Sequence, residues 1–398
     1  MTEWIESIKL SLGIYWEIIF LIVGALLGVA LPGIINIVNS SRKRRFLKKT
    51  VQSVGSSEEL NIQTLSSGIP AFQNNSLKIY DKGYSFYLAF PYELRDQVLT
   101  IDEEFEMHED WFFNELNTLA LLGEKMEIPN FETLINKHRL IVANYFINET
   151  NGCKFNRPKY GVYSIRFLNG LGKEEEAGAK IELYNTDYFT HRVMRSVYNE
   201  LKEQGHPITT VKQGVIRNEL FKYNLFTTSI GINIFLLMDS VHGESIIFSR
   251  RSANVAYEEN QFKYNSTIME GISQTDYDSY EKQVSLQLAA RRALNEELGI
   301  RYEFFNPKIQ FHDIFLERNY FEIGLTASVE IESIFEETVR DLPAKDKEFE
   351  LDSLLPVPLT TQALNQFINQ NKMYNQGLYT LKMIAARHNV NITYKITK

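Results

Sequence analysis

The sequence is nearly free of cysteine, and this limits both its covalent cross-links and its metal chemistry. Cys153 is the one cysteine among 398 residues, so the chain cannot form an internal disulfide or a CxxC zinc site. The seven histidines are scattered, without the spacing of a metal site. This composition fits a reducing compartment.

Positive charge is also scarce. The formal net charge is −8 at pH 7, with 42 Lys and Arg against 50 Asp and Glu. Sequence-independent binding of DNA or RNA depends on basic side chains that neutralise phosphates. The charge balance therefore predicts no DNA or RNA partner, although it allows a small nucleotide held by a few arginines.

One long uncharged segment lies near the amino terminus. Residues 18–41 contain no charged side chain, and as a helix rising about 1.5 Å per residue they would cross a bilayer core of about 30 Å. Residues 1–41 are thus predicted to be a tail and a transmembrane helix, with the lipid bilayer as a partner. Basic residues at 42–49 follow the span, which favours an outside amino terminus and a cytoplasmic body and disfavours a signal peptide.

Two glycines in this segment suggest helix packing. Gly24 and Gly28 have the G-x-x-x-G spacing on which two membrane helices can approach closely. We therefore expect a homo-oligomer, formed through the span, the cytoplasmic domain or both. Glycines are frequent in membrane spans, so the alternative that these two have no role stays open.

The sequence beyond the span divides into three further parts. Residues 42–68 combine basic side chains with a Ser/Gly-rich stretch and are predicted to be a juxtamembrane segment and linker. Residues 69–222 are predicted to be an α+β region of unknown role, with a hairpin at 76–90 and an amphipathic helix at 104–122. Residues 223–398 form the carboxy-terminal domain.

The most informative stretch of that domain is "AARRALNEELGI", residues 289–300. Apolar residues such as Ala290 and Leu294 are four apart, which predicts a helix over roughly 277–298 that packs against a sheet. Gly299 follows it at the position that favours a left-handed cap.

Adjacent carboxylates mark the end of this helix. Glu296 and Glu297 repel each other and the negative end of the helix dipole, and a divalent cation would offset that repulsion. The alternative is two solvated glutamates. Ala293 stands one turn before Glu297, on the same stripe of the helix.

This stretch resembles the Nudix family, whose signature is G-x5-E-x7-R-E-U-x-E-E-x-G-U with U a bulky aliphatic residue. The second half of the signature is matched by Arg292, Leu294, Glu296, Glu297, Gly299 and Ile300. The resemblance covers about residues 225–390 and implies a Nudix-like α/β/α sandwich with a mixed sheet. The expected fold class is therefore α+β, with a transmembrane helix, an α+β middle region and this domain.

The departures from the signature bear on chemistry. Ala293 replaces a glutamate that serves as a magnesium ligand in the family. Gly271 lies 21 positions before Arg292 instead of 14, and Glu281 is a poor substitute for the first glutamate of the signature. Magnesium is the cofactor that the resemblance admits, through Glu296 and Glu297, but we expect impaired hydrolysis and no catalytic residues.

A Nudix-like domain behind one transmembrane helix resembles the membrane-anchored Nudix effectors of bacterial cyclic-oligonucleotide (CBASS) antiphage systems. That resemblance implies binding of a cyclic di- or trinucleotide, disruption of the inner membrane and localisation there. The expected ligand-binding residues are Arg250, Arg251, Tyr257, Phe262, Tyr264 and Arg292. The alternatives are a membrane-bound Nudix hydrolase of a nucleoside diphosphate derivative and a protein-binding scaffold.

Overall fold

The structure, a computed structural model, describes most of the chain. The described ranges are 41–54, 60–73, 76–99, 105–113, 118–148, 155–168, 177–209, 220–253, 261–345 and 351–393. In that part, helices and strands alternate irregularly, and both larger sheets contain parallel and antiparallel pairs. The predicted α+β class with a mixed sheet is confirmed.

The regular elements run in the following order. The strands are β1 (Ile62–Ser67), β2 (Leu77–Tyr87), β3 (Trp111–Phe112), β4 (Pro158–Leu168), β5 (Gly178–Asp187), β6 (Ile230–Ser240), β7 (Gly243–Arg251), β8 (Tyr264–Asn265), β9 (Ile268–Gly271), β10 (Tyr277–Asp278), β11 (Gln283–Val284), β12 (Lys308–Glu317), β13 (Glu322–Ile334) and β14 (Leu351–Pro358). The helices are α1 (41–54), α2 (Arg95–Leu99), α3 (Leu119–Met126), α4 (Phe131–Asn148), α5 (Tyr188–Glu203), α6 (Leu286–Leu298), α7 (Tyr302–Phe305), α8 (Phe335–Thr338), α9 (Thr361–Gln370) and α10 (Asn375–Arg387).

The largest sheet has the strand order β1-β12-β13-β6-β7-β14, with β8 beside β7 and β9 beside β6. Its strand pairs are antiparallel except β13 with β6, which run parallel. Strand β6 is an apolar run in which almost every side chain is buried. Such a run suits a central strand that is covered on both faces.

Helices cover both faces of this sheet. Successive side chains of a strand alternate between the two faces of a sheet. On one face, Ile234 of β6 lies in the core that contains Ala290 and Leu294 of α6. On the other face, Phe248 of β7 contacts Phe367 of α9, with ring centroids 4.3 Å apart. The sheet is therefore the central layer between α6 and the carboxy-terminal helices.

Strand β1 lies where a linker was predicted. Residues 62–67 pair antiparallel with β12 and form the edge of the large sheet. The Ser/Gly-rich composition around this stretch suggested a linker, but an edge strand tolerates polar side chains. The prediction of a linker over 42–68 is therefore wrong for residues 62–67.

A second sheet, in the order β3-β2-β5-β4, forms the middle region. The predicted hairpin at 76–90 is instead the single strand β2, which is irregular near Gly83, where the Asp81 side chain accepts a hydrogen bond from the Gly83 amide. One hydrophobic core joins this region to the α6 face of the large sheet.

Over the described parts of 104–122, which are 105–113 and 118–122, the structure does not contain the predicted single amphipathic helix. Residues 105–110 have no regular structure, β3 follows, and α3 begins only after its cap, Thr118. Asp110 explains the extended conformation, because its carboxylate accepts hydrogen bonds from the Ala89 amide and from Arg139. These bonds tie the segment to its neighbours in space.

The predicted membrane topology is corrected. Within the described ranges, no helix combines the length and apolar character needed to cross a bilayer. The described helix at 41–54 carries the basic run at 42–49, and residues 1–40, with Gly24 and Gly28, lie outside the described residues. This finding contradicts three predictions: the transmembrane helix, the inner-membrane localisation and the likeness to membrane-anchored effectors.

Candidate functional site

Helix α6 carries the Nudix-like residues, but it is shorter than predicted. Ser285 caps its first turn by accepting a hydrogen bond from the Leu288 amide, and Gly299 ends it at φ 71°. The preceding residues 277–284, predicted as helix, form the β10–β11 hairpin instead. The side chain of Ala293 is 1% exposed, because it packs in the core beneath the sheet.

Arg292 is held by three carboxylates. Its Nε and Nη2 donate to the two oxygens of Asp276 at 2.9 and 3.0 Å. Its Nη1 donates to Glu270 at 3.1 Å and to Glu296 at 3.0 Å, and Nη2 also reaches the Gly271 carbonyl at 2.8 Å. Burial alone would lower the pKa of Arg292, but its hydrogen bonds to Asp276 and the charge of Glu270 outweigh burial and raise the pKa.

Asp276 is the acid that pairs with Arg292 through both of its carboxylate oxygens. Asp276 lies five residues after Gly271, is almost fully buried and caps a short turn through the Ser273 amide. Glu281 lies exposed at the hairpin, where its amide donates to Asp278. The spacing in the sequence pointed to Glu281 as a poor substitute for this acid, and Asp276 was not expected.

Within the described ranges, these residues supply few ligands for a magnesium centre. Magnesium requires several oxygen ligands in a near-octahedral arrangement. Ala293 offers none, Glu296 is paired with Arg292, and Glu297 is buried. Across the ranges that the structure describes, no group of three or more His, Cys, Asp or Glu side chains is placed to hold a metal ion.

A cavity of about 420 Å³ lies beside the carboxyl end of α6. Its described lining residues are Asp341, Leu342, Pro343, Ala344, Leu351, Asp352, Ser353 and Leu354. The Pro343 carbonyl packs so closely on Gly299 that a Cβ there would lie 2.3 Å from its oxygen. The cap of α6 therefore supports one wall of the cavity.

Arg250 lies at the rim of this cavity. Its Nη1 donates to Asp352, a lining residue, at 3.1 Å, and the two side chains are 39% and 38% exposed. Its guanidinium also lies 5.2 Å from the ring centroid of Phe262, which is itself exposed. Phe262 has a φ of 57°, a left-handed conformation that is unfavourable for a bulky residue.

The chain is similar to several solved structures of other proteins. No family model matches the sequence, and no curated protein matches it. Over 40% of its length, the chain is similar to a mutT/nudix family protein from Listeria innocua, at 16% identity and a TM-score of 0.27, with 94% of that chain covered.

Two other solved structures show the same degree of likeness over 40% of this chain. A C. elegans Ap4A hydrolase is 10% identical, with a TM-score of 0.25 and 98% of that chain covered. The NUDIX domain of Shewanella oneidensis NrtR, complexed with ADP ribose, is 10% identical, with a TM-score of 0.23 and 87% covered. Likenesses this slight assign no activity to the chain.

The structure brings only some of the predicted ligand residues together. Arg250 and Phe262 are adjacent, and the backbone of Arg251 pairs with Phe262 and Lys263. Tyr264 packs edge-on against Phe367 at 4.9 Å, as a partly buried residue of the sheet does.

Two further predicted residues lie elsewhere. Arg292 belongs to the carboxylate network of α6, and Tyr257 lies outside the described residues. Asp352 was not considered from the sequence, because its place beside Arg250 depends on strand pairing across 102 residues.

Proposed function

We propose that the chain binds a phosphate-bearing nucleotide derivative at the cavity beside α6 and does not hydrolyse it. The observation that carries this proposal is the exposed pair of Arg250 and Phe262 at the cavity rim. Arginine recognises phosphate oxygens through charge-assisted hydrogen bonds, and an exposed aromatic ring can stack on a base. A cavity of a few hundred cubic ångströms suits such a ligand.

Binding without turnover is supported by the state of α6. A Nudix hydrolase holds a metal on carboxylates of this helix, as the family resemblance implies. In this chain, the position of one such carboxylate is occupied by the buried Ala293, and Glu296 accepts a hydrogen bond from Arg292 instead. A receptor that keeps its ligand intact fits these residues better than an enzyme does.

The ligand class to test first is the cyclic di- and trinucleotides, beside linear derivatives such as ADP-ribose and diadenosine tetraphosphate. All of them combine bases that can stack on Phe262 with phosphates for Arg250. Isothermal titration calorimetry on the full chain, with and without EDTA, should detect binding of at least one compound. Because the proposal uses no metal, EDTA should leave the affinity unchanged.

Substitutions at the rim test the location of the site. Arg250→Ala should weaken binding roughly ten- to a hundredfold, the loss expected for a charged hydrogen bond of about 1.5–3 kcal/mol. Phe262→Ala should also weaken it, because a stacked base loses its partner. Two matched variants, Arg166→Ala on β4 and Phe304→Ala on α7, remove exposed residues elsewhere and should change nothing.

The rival function is a magnesium-dependent Nudix hydrolase. The same compounds should therefore be incubated with the chain and magnesium, and their products separated by chromatography. Rapid turnover that is lost in Glu297→Gln would establish the enzyme and refute the receptor. Absence of binding across the whole panel would refute the proposed site.

A further inference from the structure

Asp352 already accepts a hydrogen bond from the Arg250 guanidinium, the group that would bind a phosphate. The Arg250 Nη1 donates to the Asp352 Oδ2 at 3.1 Å. Both side chains are part-exposed, and Asp352 is one of the residues that line the cavity. A phosphate that approaches Arg250 therefore meets a carboxylate already bound there.

The strand pairing places Asp352 in this position. On β14, Leu351 is paired with Arg251 and Ser353 with Arg250, so two steps on β14 match one step on β7. Asp352 is the extra residue of this irregularity. Such bulges redirect a side chain out of the regular alternation and are common beside functional sites.

We propose that Asp352 is a built-in competitor that sets the affinity of this site for phosphate groups. The inference rests on the proposed function, because it concerns the same arginine. A carboxylate and a phosphate cannot both lie against one guanidinium without repelling each other. A ligand phosphate at Arg250 therefore binds against the repulsion of Asp352 or displaces it, and only ligands with enough further contacts bind at low concentration.

The expected size of the effect follows from charge repulsion across a few ångströms near the surface. Removing one negative charge about 4–5 Å from a bound phosphate should tighten its binding roughly five- to thirtyfold. Exposed ion pairs are themselves weak, so loss of the pair should leave the fold intact. Asp352→Asn is the sharpest change, since it removes the charge and keeps the shape.

Inorganic pyrophosphate is the probe, titrated by calorimetry into the full chain at one fixed ionic strength. Asp352→Asn should bind it roughly five- to thirtyfold more tightly than the unmodified chain, and Asp352→Ala should show the same direction. The matched control is Glu330→Gln on β13, because Glu330 is equally exposed and pairs with Lys308 at 2.9 Å. That variant should bind pyrophosphate like the unmodified chain.

The double variant Asp352→Asn with Arg250→Ala identifies the group that is released. If Asp352 acts through Arg250, the gain disappears in the double variant. A gain that persists there, or one shared by Glu330→Gln, would mean a general charge effect and would overturn the inference.

The two proposals fail in different ways. If Arg250→Ala weakens nucleotide binding but Asp352→Asn binds pyrophosphate no better, the receptor stands and the competitor is refuted. If no variant binds pyrophosphate or any nucleotide of the panel, both are refuted. Thermal melting of each variant should give the midpoint of the unmodified chain, which excludes unfolding as the cause.

Discussion

Two arginines in the carboxy-terminal domain, Arg292 and Arg250, have very different surroundings. Arg292 is surrounded by Asp276, Glu270, Glu296 and a backbone carbonyl, so its donors are used by the fold. Arg250 has one carboxylate partner and a large exposed fraction. An arginine held by three carboxylates stabilises a structure, whereas one with a single, exposed carboxylate partner is better placed to meet a ligand.

The same contrast separates the two places where chemistry was expected. The carboxyl half of α6 carries the Nudix-like residues, and one of them, Arg292, joins α6 to the segment before it. The end of β7 carries no signature residue, yet it combines charge, an exposed ring and a cavity. The Nudix-like signature therefore identifies helix α6, whereas the candidate site at the end of β7 is identified by its exposed Arg250 and Phe262.

The largest expected effect is loss of the Arg292 network. Asp276→Ala should lower the free energy of unfolding by about 3 kcal/mol, because it leaves a largely buried guanidinium without its two-point partner. Glu296→Gln, which removes one charge from the more exposed side of the network, should cost less than about 1 kcal/mol. Urea unfolding at one pH measures both, and equal losses would contradict the assigned roles.

Gly299 tests whether α6 supports the cavity wall. Gly299→Ala should cost about 2–3 kcal/mol, since it combines a left-handed φ with a clash against the Pro343 carbonyl. Gly243→Ala is the control, because Gly243 has a φ of 89° and nothing within 4 Å of an added Cβ. It should cost only about 1 kcal/mol, and a cost equal to that of Gly299→Ala would show that Pro343 yields freely.

Glu317 is the opposite of Arg292, since it is a buried charge beside a like charge. Burial raises the pKa of its carboxyl to about 7, and the neighbouring Glu322 adds to the rise, while the Asn319 and Tyr320 amides oppose it. The fold therefore favours the protonated form. Its contribution to stability is complete below about pH 4.5 and is lost as pH rises through about 7.

The loss of stability with rising pH that we assign to Glu317 can be measured by comparison with Glu317→Gln. The free energy of unfolding of the unmodified chain, minus that of the variant, should fall by about 2 kcal/mol between pH 5 and pH 8. The difference removes the effects of other titrating groups, such as His312, whose pKa burial lowers to about 3. A difference that stays constant with pH would refute the assignment to Glu317.

The smallest expected effect on stability belongs to Arg250. Arg250→Ala should change the free energy of unfolding by less than about 0.5 kcal/mol, because exposed ion pairs contribute little. The same variant should lose ligand binding, so stability and binding separate at this residue. A loss of stability comparable to that of Asp276→Ala would remove the distinction between the two arginines.

Local patterns determined a good part of this protein. The four-residue spacing of apolar residues and the terminal glycine predicted the carboxyl half and the cap of α6. These signals depend on neighbours within one or two turns, which is why they can be found in one sequence. Where the pattern was ambiguous, as at 104–122, contacts from Asp110 to distant segments decided the conformation.

Only the tertiary structure decided which charged residues meet. The sequence by itself placed Arg292, Glu296 and Arg250 on their elements and showed that Ala293 replaces a carboxylate. It could not show that Asp276 holds Arg292 across 16 residues or that Asp352 reaches Arg250 across 102. Such pairs depend on how the chain folds back and on strand register, and one extra residue on β14 sets where Asp352 lies.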